Sequence, residues 1–151
     1  MDNNGLNFNF QTSGIEKAQA KLSELMKDYP NEVAAALTIE AETTMTESKE
    51  LVPVDTGTLK TSGFVEKPKI TLKNVTIKLG YGGAATKINS ETGQPTSDYA
   101  VYVHENLLAF HKVGQAKFLE DPLRRRQPDM IKKIVARVKK RLKKIKEGGG
   151  I

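Results

Sequence analysis

The sequence contains no cysteine and no tryptophan, and only two histidines, among 151 residues. Without thiolates there are no disulfides, no cysteine nucleophile and no cysteine-based metal site. That suits assembly in a reducing cytoplasm without requiring it. No apolar run approaches the roughly 18 residues that a membrane span needs. Residues Met1 to Gln11 are polar and lack the basic-then-apolar order of a secretory signal. Length, with 38% hydrophobic and 28% charged residues, suits one soluble domain with a modest core.

Charge of one sign is concentrated at one end. From Arg124 to Glu147 there are 12 Lys or Arg against Asp129 and Glu147, while the chain as a whole carries only +6. The rest of the molecule is therefore mildly acidic. Such asymmetry suits a polyanion or an acidic partner surface, and equally a solvated helix face.

Periodicity divides the chain into an arm, one domain and a tail. Residues 1–13, with Leu6, Phe8 and Phe10 alternating, form a short strand or an ordered arm. The domain spans 14–147, and 148–151 is a glycine-rich tail. Ile15, Ala18, Leu22, Leu25 and Met26 recur at helical spacing behind Ser13 and Glu16, which resemble a capping box. Pro30 interrupts, and Val33, Leu37, Ala41 and Met45 continue the stripe. The reading is a long kinked helix, or two helices joined at Pro30, ending before Pro53.

After the turn formers Asp55, Thr56 and Gly57 the period shortens to two. Strands are expected over 62–66, 69–73 and 75–81, and again from Tyr99 to His104. That last strand places Tyr99, Val101 and Val103 on one face and Ala100, Tyr102 and His104 on the other. Residues 82–98 read as a loop, long enough to suggest a function of its own. A helical region follows from Lys117, broken or bent near Pro128. Its apolar stripe is Ile131, Ile134, Val135, Val138, Leu142 and Ile145, with cations opposite. The fold class is α+β, a small antiparallel sheet packed on a long N-terminal helix and a basic C-terminal one. The expected core includes Leu37, Met45, Ile77, Leu79, Val101, Val103, Phe118, Ile134 and Val138.

Chemistry-bearing patterns are sparse. His104-Glu105 with His111 approaches the zinc-protease helix motif, but position 108 is leucine, so two imidazoles four apart do not occur. No second carboxylate sits at a spacing that pairs with Asp55, and an Asx-turn or helix cap accounts for it. Gly80-Tyr81-Gly82-Gly83 lacks the Lys-Ser/Thr of a phosphate-cradling loop. No catalytic, metal or cofactor site is assigned, and an enzyme is not expected. The basic helix offers Arg124, Arg125, Arg126, Lys132, Lys133, Lys139, Lys140 and Lys143 to DNA phosphates or to an acidic partner. It has no interleaved aromatics for base stacking.

Three strings in order carry a resemblance. They are Val52-Pro53-Val54-Asp55-Thr56-Gly57-Thr58-Leu59-Lys60, then Tyr99-Ala100-Val101-Tyr102-Val103-His104-Glu105, then His111-x-x-Gly114-Gln115-Ala116-Lys117-Phe118-Leu119. Set between an N-terminal helix and a basic C-terminal one, they resemble the HK97 gp10-like family of phage head–tail connector, or tail completion, proteins. The resemblance covers roughly Val33 to Lys140, although Asn106-Leu107-Leu108 follows Glu105 where many relatives have glycine-threonine. It makes Pro53, Asp55, Thr56, Gly57, Leu59, Tyr99, Ala100, Tyr102, His104, Glu105, Phe118 and Leu119 the family-pattern residues.

What the resemblance implies is a structural virion subunit, assembled in the host cytoplasm. It would form a homo-oligomeric ring, six-fold or twelve-fold, at the head–tail junction. Its neighbours would be other neck, portal or adaptor and tail proteins, with genome DNA passing through the channel and no membrane involved. Residues 1–13, 82–98 and 105–116 are the segments offered to neighbours. A non-specific DNA-binding module using the terminal helix is the alternative.

Overall fold

The structure, a computed structural model, describes residues 16–53, 57–82, 93, 96–108 and 114–148, and of 96–99 and 101 only the backbone. The expected arm at 1–13, the Ser13 cap, Asp55, Thr56, His111 and the end of the tail lie outside the described residues.

Helix α1 runs Glu16–Asp28 and α2 runs Pro30–Leu51. Tyr29 joins them, donating its N–H to Leu25 O at 2.7 Å while its own carbonyl accepts from Val33 at 3.1 Å. Pro30 has no N–H to continue the first helix, but it suits the first position of the second. Two helices joined at Pro30 is thus the form that occurs. Pro53 ends α2, and Val52 before it is extended, with ψ 136°.

A single turn, α3 (Thr58–Thr61), leads into β1 (Gly63–Val65), β2 (Lys69–Ile70), β3 (Val75–Thr76) and β4 (Leu79–Tyr81). The strands form one hairpin in two antiparallel ladders. At its base Gly63 pairs with Tyr81 and Val65 with Leu79; towards its tip Lys69 pairs with Thr76 and Ile70 with Val75. Glu66 still donates to Lys78 O, so Lys67 and Pro68 together oppose Ile77. That extra residue is a bulge, and Pro68 sits where no ladder donor is needed. It also explains why the single strand expected over 75–81 is two. Gly63 presses on α2, where a Cβ would lie 2.5 Å from Lys49 Cε and 2.9 Å from Met45 Sδ.

The strand expected from Tyr99 to His104 is instead part of helix α4 (Thr96–Glu105). Ala100, Val103 and His104 are buried and Tyr102 is 64% exposed, which is helical spacing rather than alternation. A short apolar run of β-branched and aromatic residues fits either period. Packing on neighbouring elements selects the helix, and Thr96-Ser97-Asp98, read as loop, forms its first turn.

Helix α5 (Glu120–Glu147) continues through Pro128 without breaking. It packs on α1 and α2 through Leu25, Val33, Ala36, Ile134, Val135 and Val138, with Leu37 and Val75 at the edge. A second cluster gathers Val52, Leu59, Ala100, Val103, Phe118 and Leu119, with Leu79 and Tyr81 beside it. Each fully buried Val, Leu, Ile or Phe among them contributes about 1.5–3 kcal/mol. Met45, Val103, Phe118, Ile134 and Val138 are core as expected. Leu37, Ile77 and Leu79 are only partly buried, and the Val101 side chain lies outside the described residues. The architecture is α+β: a hairpin laid along α2, with α1 and α5 completing the helical layer.

Candidate functional site

The three strings converge on the second cluster. Gly114, at φ 92°, lies against the backbone of Val52 and Pro53, where a Cβ would approach Pro53 N to 2.5 Å. Only glycine tolerates both that φ and that proximity. One residue on, the Gln115 N–H donates to Leu51 O at 2.8 Å. The third string is thereby fastened to the first. Gly57, at φ 76°, supplies the turn before α3, from which Leu59 enters the core.

Phe118 meets Tyr81 and His104 edge-to-face, with ring centroids 5.1 and 4.9 Å apart. His104 is fully buried, and both ring nitrogens are used. Nδ1 lies 2.8 Å from Glu105 Oε1, and Nε2 accepts the Glu120 N–H at 3.2 Å. An acceptor at Nε2 puts the proton on Nδ1, which donates to the carboxylate. The imidazole therefore caps α5, whose preceding residue, Leu119, offers no side-chain cap. The His104 backbone carbonyl accepts from the Lys117 N–H at 2.8 Å. Lys117 holds φ 55°, uncommon for a residue with a Cβ.

His104, Glu105 and Glu120 bring three possible metal ligands within 4.8 Å of one another. The Lys117 ammonium already occupies the space between the carboxylates, 2.5 Å from Glu105 Oε2 and 3.0 Å from Glu120 Oε2. Hydrogen bonds from Lys117 and then from His104 hold the Glu105 carboxyl below the ordinary range, and Lys117 does the same to Glu120. The two carboxylates in turn raise the Lys117 ammonium. With the cation supplied by the chain and Nε2 committed to the helix, the cluster is a structural brace. Burial pushes the Tyr81 phenol up to about 12, although its bond with Ser48 Oγ, at 2.8 Å, pulls the other way.

The basic helix divides into two faces. Inward, Arg126 Nη2 donates to Glu40 Oε2 at 2.6 Å and Nη1 to Glu47 Oε1 at 2.7 Å. Arg137 reaches Glu40 at 3.2 Å and Arg125 reaches Glu47 at 2.9 Å. Arg124 pairs with Glu120 along α5. The acidic surface met by Arg125 and Arg126 is thus the molecule's own α2. Outward, Lys132, Lys133, Lys139, Lys140 and Lys143 are exposed. Of these, Lys143 lies 3.8 Å from Glu147. Lys139 and Lys143 also border an open pocket of about 540 Å³ beside Lys21 of α1.

Of the family-pattern residues, Pro53, Leu59, Ala100, His104, Phe118 and Leu119 are buried together, with Gly57 at their turn. Tyr102 is exposed and its hydroxyl accepts from Asn106 Nδ2 at 3.1 Å. Sequence reasoning did not single out Glu40, Glu47, Arg137 or the bridging role of Lys117. Glu40 was detectable in principle, because it falls in register with the buried face Val33, Ala36, Ala41, Thr44 and Ser48.

Comparison of the chain with family models, with curated proteins and with solved structures found no match.

Proposed function

We propose that the chain is a structural subunit of a tailed bacteriophage, forming a ring at the head–tail junction around a channel for DNA. The observation that carries this reading is the convergence of the three strings on one packed unit around Phe118. Among their described polar members, His104 caps α5 and Lys117 bridges Glu105 and Glu120. That is what a scaffold requires, and the reading assigns no catalysis to the chain. Leu107 and Leu108, 71% and 97% exposed just after α4, offer apolar surface to neighbouring subunits. Among the described residues no helix is long and apolar enough to cross a membrane. Cryo-electron microscopy of particles assembled with a tagged copy tests the reading: density for the tag in a ring on the head–tail axis supports it, and particles lacking the chain refute it.

A DNA-binding role for α5 is the second reading, favoured by the outward lysines. Duplex binding that weakens steeply with salt, and is lost on replacing Lys132, Lys133, Lys139, Lys140 and Lys143 together, would support it. Binding unchanged by those replacements would remove it.

A further inference from the structure

The tip of the hairpin carries a residue that its turn does not need. Thr71 and Asn74 close the reversal, through Thr71 N–H to Asn74 O at 2.8 Å and Asn74 N–H to Thr71 Oγ1 at 3.0 Å. Between them Leu72 contributes nothing to that geometry, and its side chain is fully exposed, at 103%. Ile70 beside it is 42% exposed. Single exposed hydrophobes are ordinary, but two at one hairpin tip form a contact element. Lys67, Lys69, Lys73 and Lys78 surround them, all exposed, against the single acid Glu66. Lysines on a strand edge repel a second edge of the same kind, so two such hairpins do not pair with each other. The partner surface has to set an apolar position beside exposed carboxylates.

This chain presents such a surface. The exposed positions of α2 are Asn31, Ala35, Ile39, Glu42, Thr46 and Glu50, at steps of three and four, so they form one stripe. The hairpin and α5 cover the other faces of α2. Ile39 is 45% exposed at the middle of the stripe. Glu42 and Glu50 follow it, and neither has an ion-pair partner among the described residues.

We propose that the hairpin tip of one copy seats on the exposed α2 stripe of the next, Leu72 against Ile39, with the hairpin lysines facing Glu42 and Glu50. Tip and stripe are different patches of one chain, so the contact is heterologous and repeats head to tail. Closure of that repeat into a ring rests on the function proposed above; the pairwise contact does not.

Because the chain has no cysteine, two single variants, Leu72→Cys and Ile39→Cys, give an unambiguous test. Each is purified, the two are mixed, and a short bismaleimide is added. The expected product is the mixed dimer, linked from position 72 of one chain to position 39 of the other. It should form well above either self-linked dimer and fall several-fold as salt is raised. Adding Lys69→Glu and Lys73→Glu to the Leu72→Cys variant should suppress it. Adding Glu42→Lys and Glu50→Lys to the Ile39→Cys variant should then restore it. Failure to form the mixed product, self-linked products of equal yield, or no rescue would overturn the proposal. Circular dichroism melts of each variant show that folding is intact. The assay needs no virus, so a chain that links in this way and is missing from virions would remove only the neck reading.

Discussion

The carboxylate of Glu40, on a residue with no exposed surface, bonds Arg126 at 2.6 Å and joins α2 to α5 across the helical layer. A buried ion pair is maintained only by good geometry and further partners, here Arg137, which donates to Glu40, and Glu47, which accepts from Arg126. Arg126 Nε remains buried without a partner among the described residues. Removing one side of such a pair strands the other. Glu40→Ala should therefore cost about 3–5 kcal/mol in urea unfolding. The double variant Glu40→Leu with Arg126→Met should lose markedly less, since no charge is left buried. Equal losses would show that the pair is not a unit.

His104 is expected to act as a cap rather than as a ligand. His104→Ala removes the acceptor for the Glu120 N–H and leaves a void against Phe118, for a loss of about 2–4 kcal/mol. His104→Gln, which restores an acceptor oxygen, should recover part of it. Nitrogen-15 spectra should show Nδ1 protonated and Nε2 bare. Protonated Nε2 would contradict the assigned hydrogen bonds.

Glycine is required at 114 for two reasons and at 57 for one. Gly114→Ala meets both a positive φ and the Pro53 backbone at 2.5 Å, whereas a Cβ at Gly57 meets nothing within 4 Å. The first should cost several kcal/mol and the second about 1–2, the ordinary left-handed penalty. Chemical denaturation of the two variants checks the order. A Gly114→Ala variant no worse than Gly57→Ala would mean that the strings are not fastened where the structure places them.

The α+β layout and the interruption of the helical stripe at Pro30 were legible because binary patterning and proline chemistry are local. α4 was not, since Ala100-Val101-Tyr102-Val103 satisfies period two within itself, and only the burial of Ala100, Val103 and His104 reveals the helical face. Nor was the Arg126–Glu40 pairing, whose partners lie 86 positions apart. A run of cations looks uniform in sequence. Its division into Arg125, Arg126 and Arg137, which reach carboxylates of α2, and lysines that stay exposed follows from how α5 rotates against α2.

Acid should loosen both braces. Burial of Glu47 works to raise its pKa, but the bonds from Arg125 and Arg126 more than offset it, leaving the carboxyl below its ordinary 4.5. Glu105 and Glu120 are lowered too, by Lys117. A carboxyl lowered by folding contributes stability above its unfolded value, and loses it as pH falls through its folded one. Stability should thus hold near neutrality and decline as pH drops below about 4.5. Replacing Glu47, Glu105 and Glu120 by Gln should flatten that decline, modestly for the exposed Glu105, where solvent screens the charge. An unchanged slope in urea titrations would contradict the assignment.

The proposed subunit works by contact, repeated at the junction of head and tail. Cryo-electron microscopy of purified particles, with mass spectrometry of the same preparation, tests it most directly. A neck subunit should be present in stoichiometric amounts, in a closed ring around the DNA channel. Intact, tailed particles from which it is missing, or in which it lies away from that axis, would contradict it.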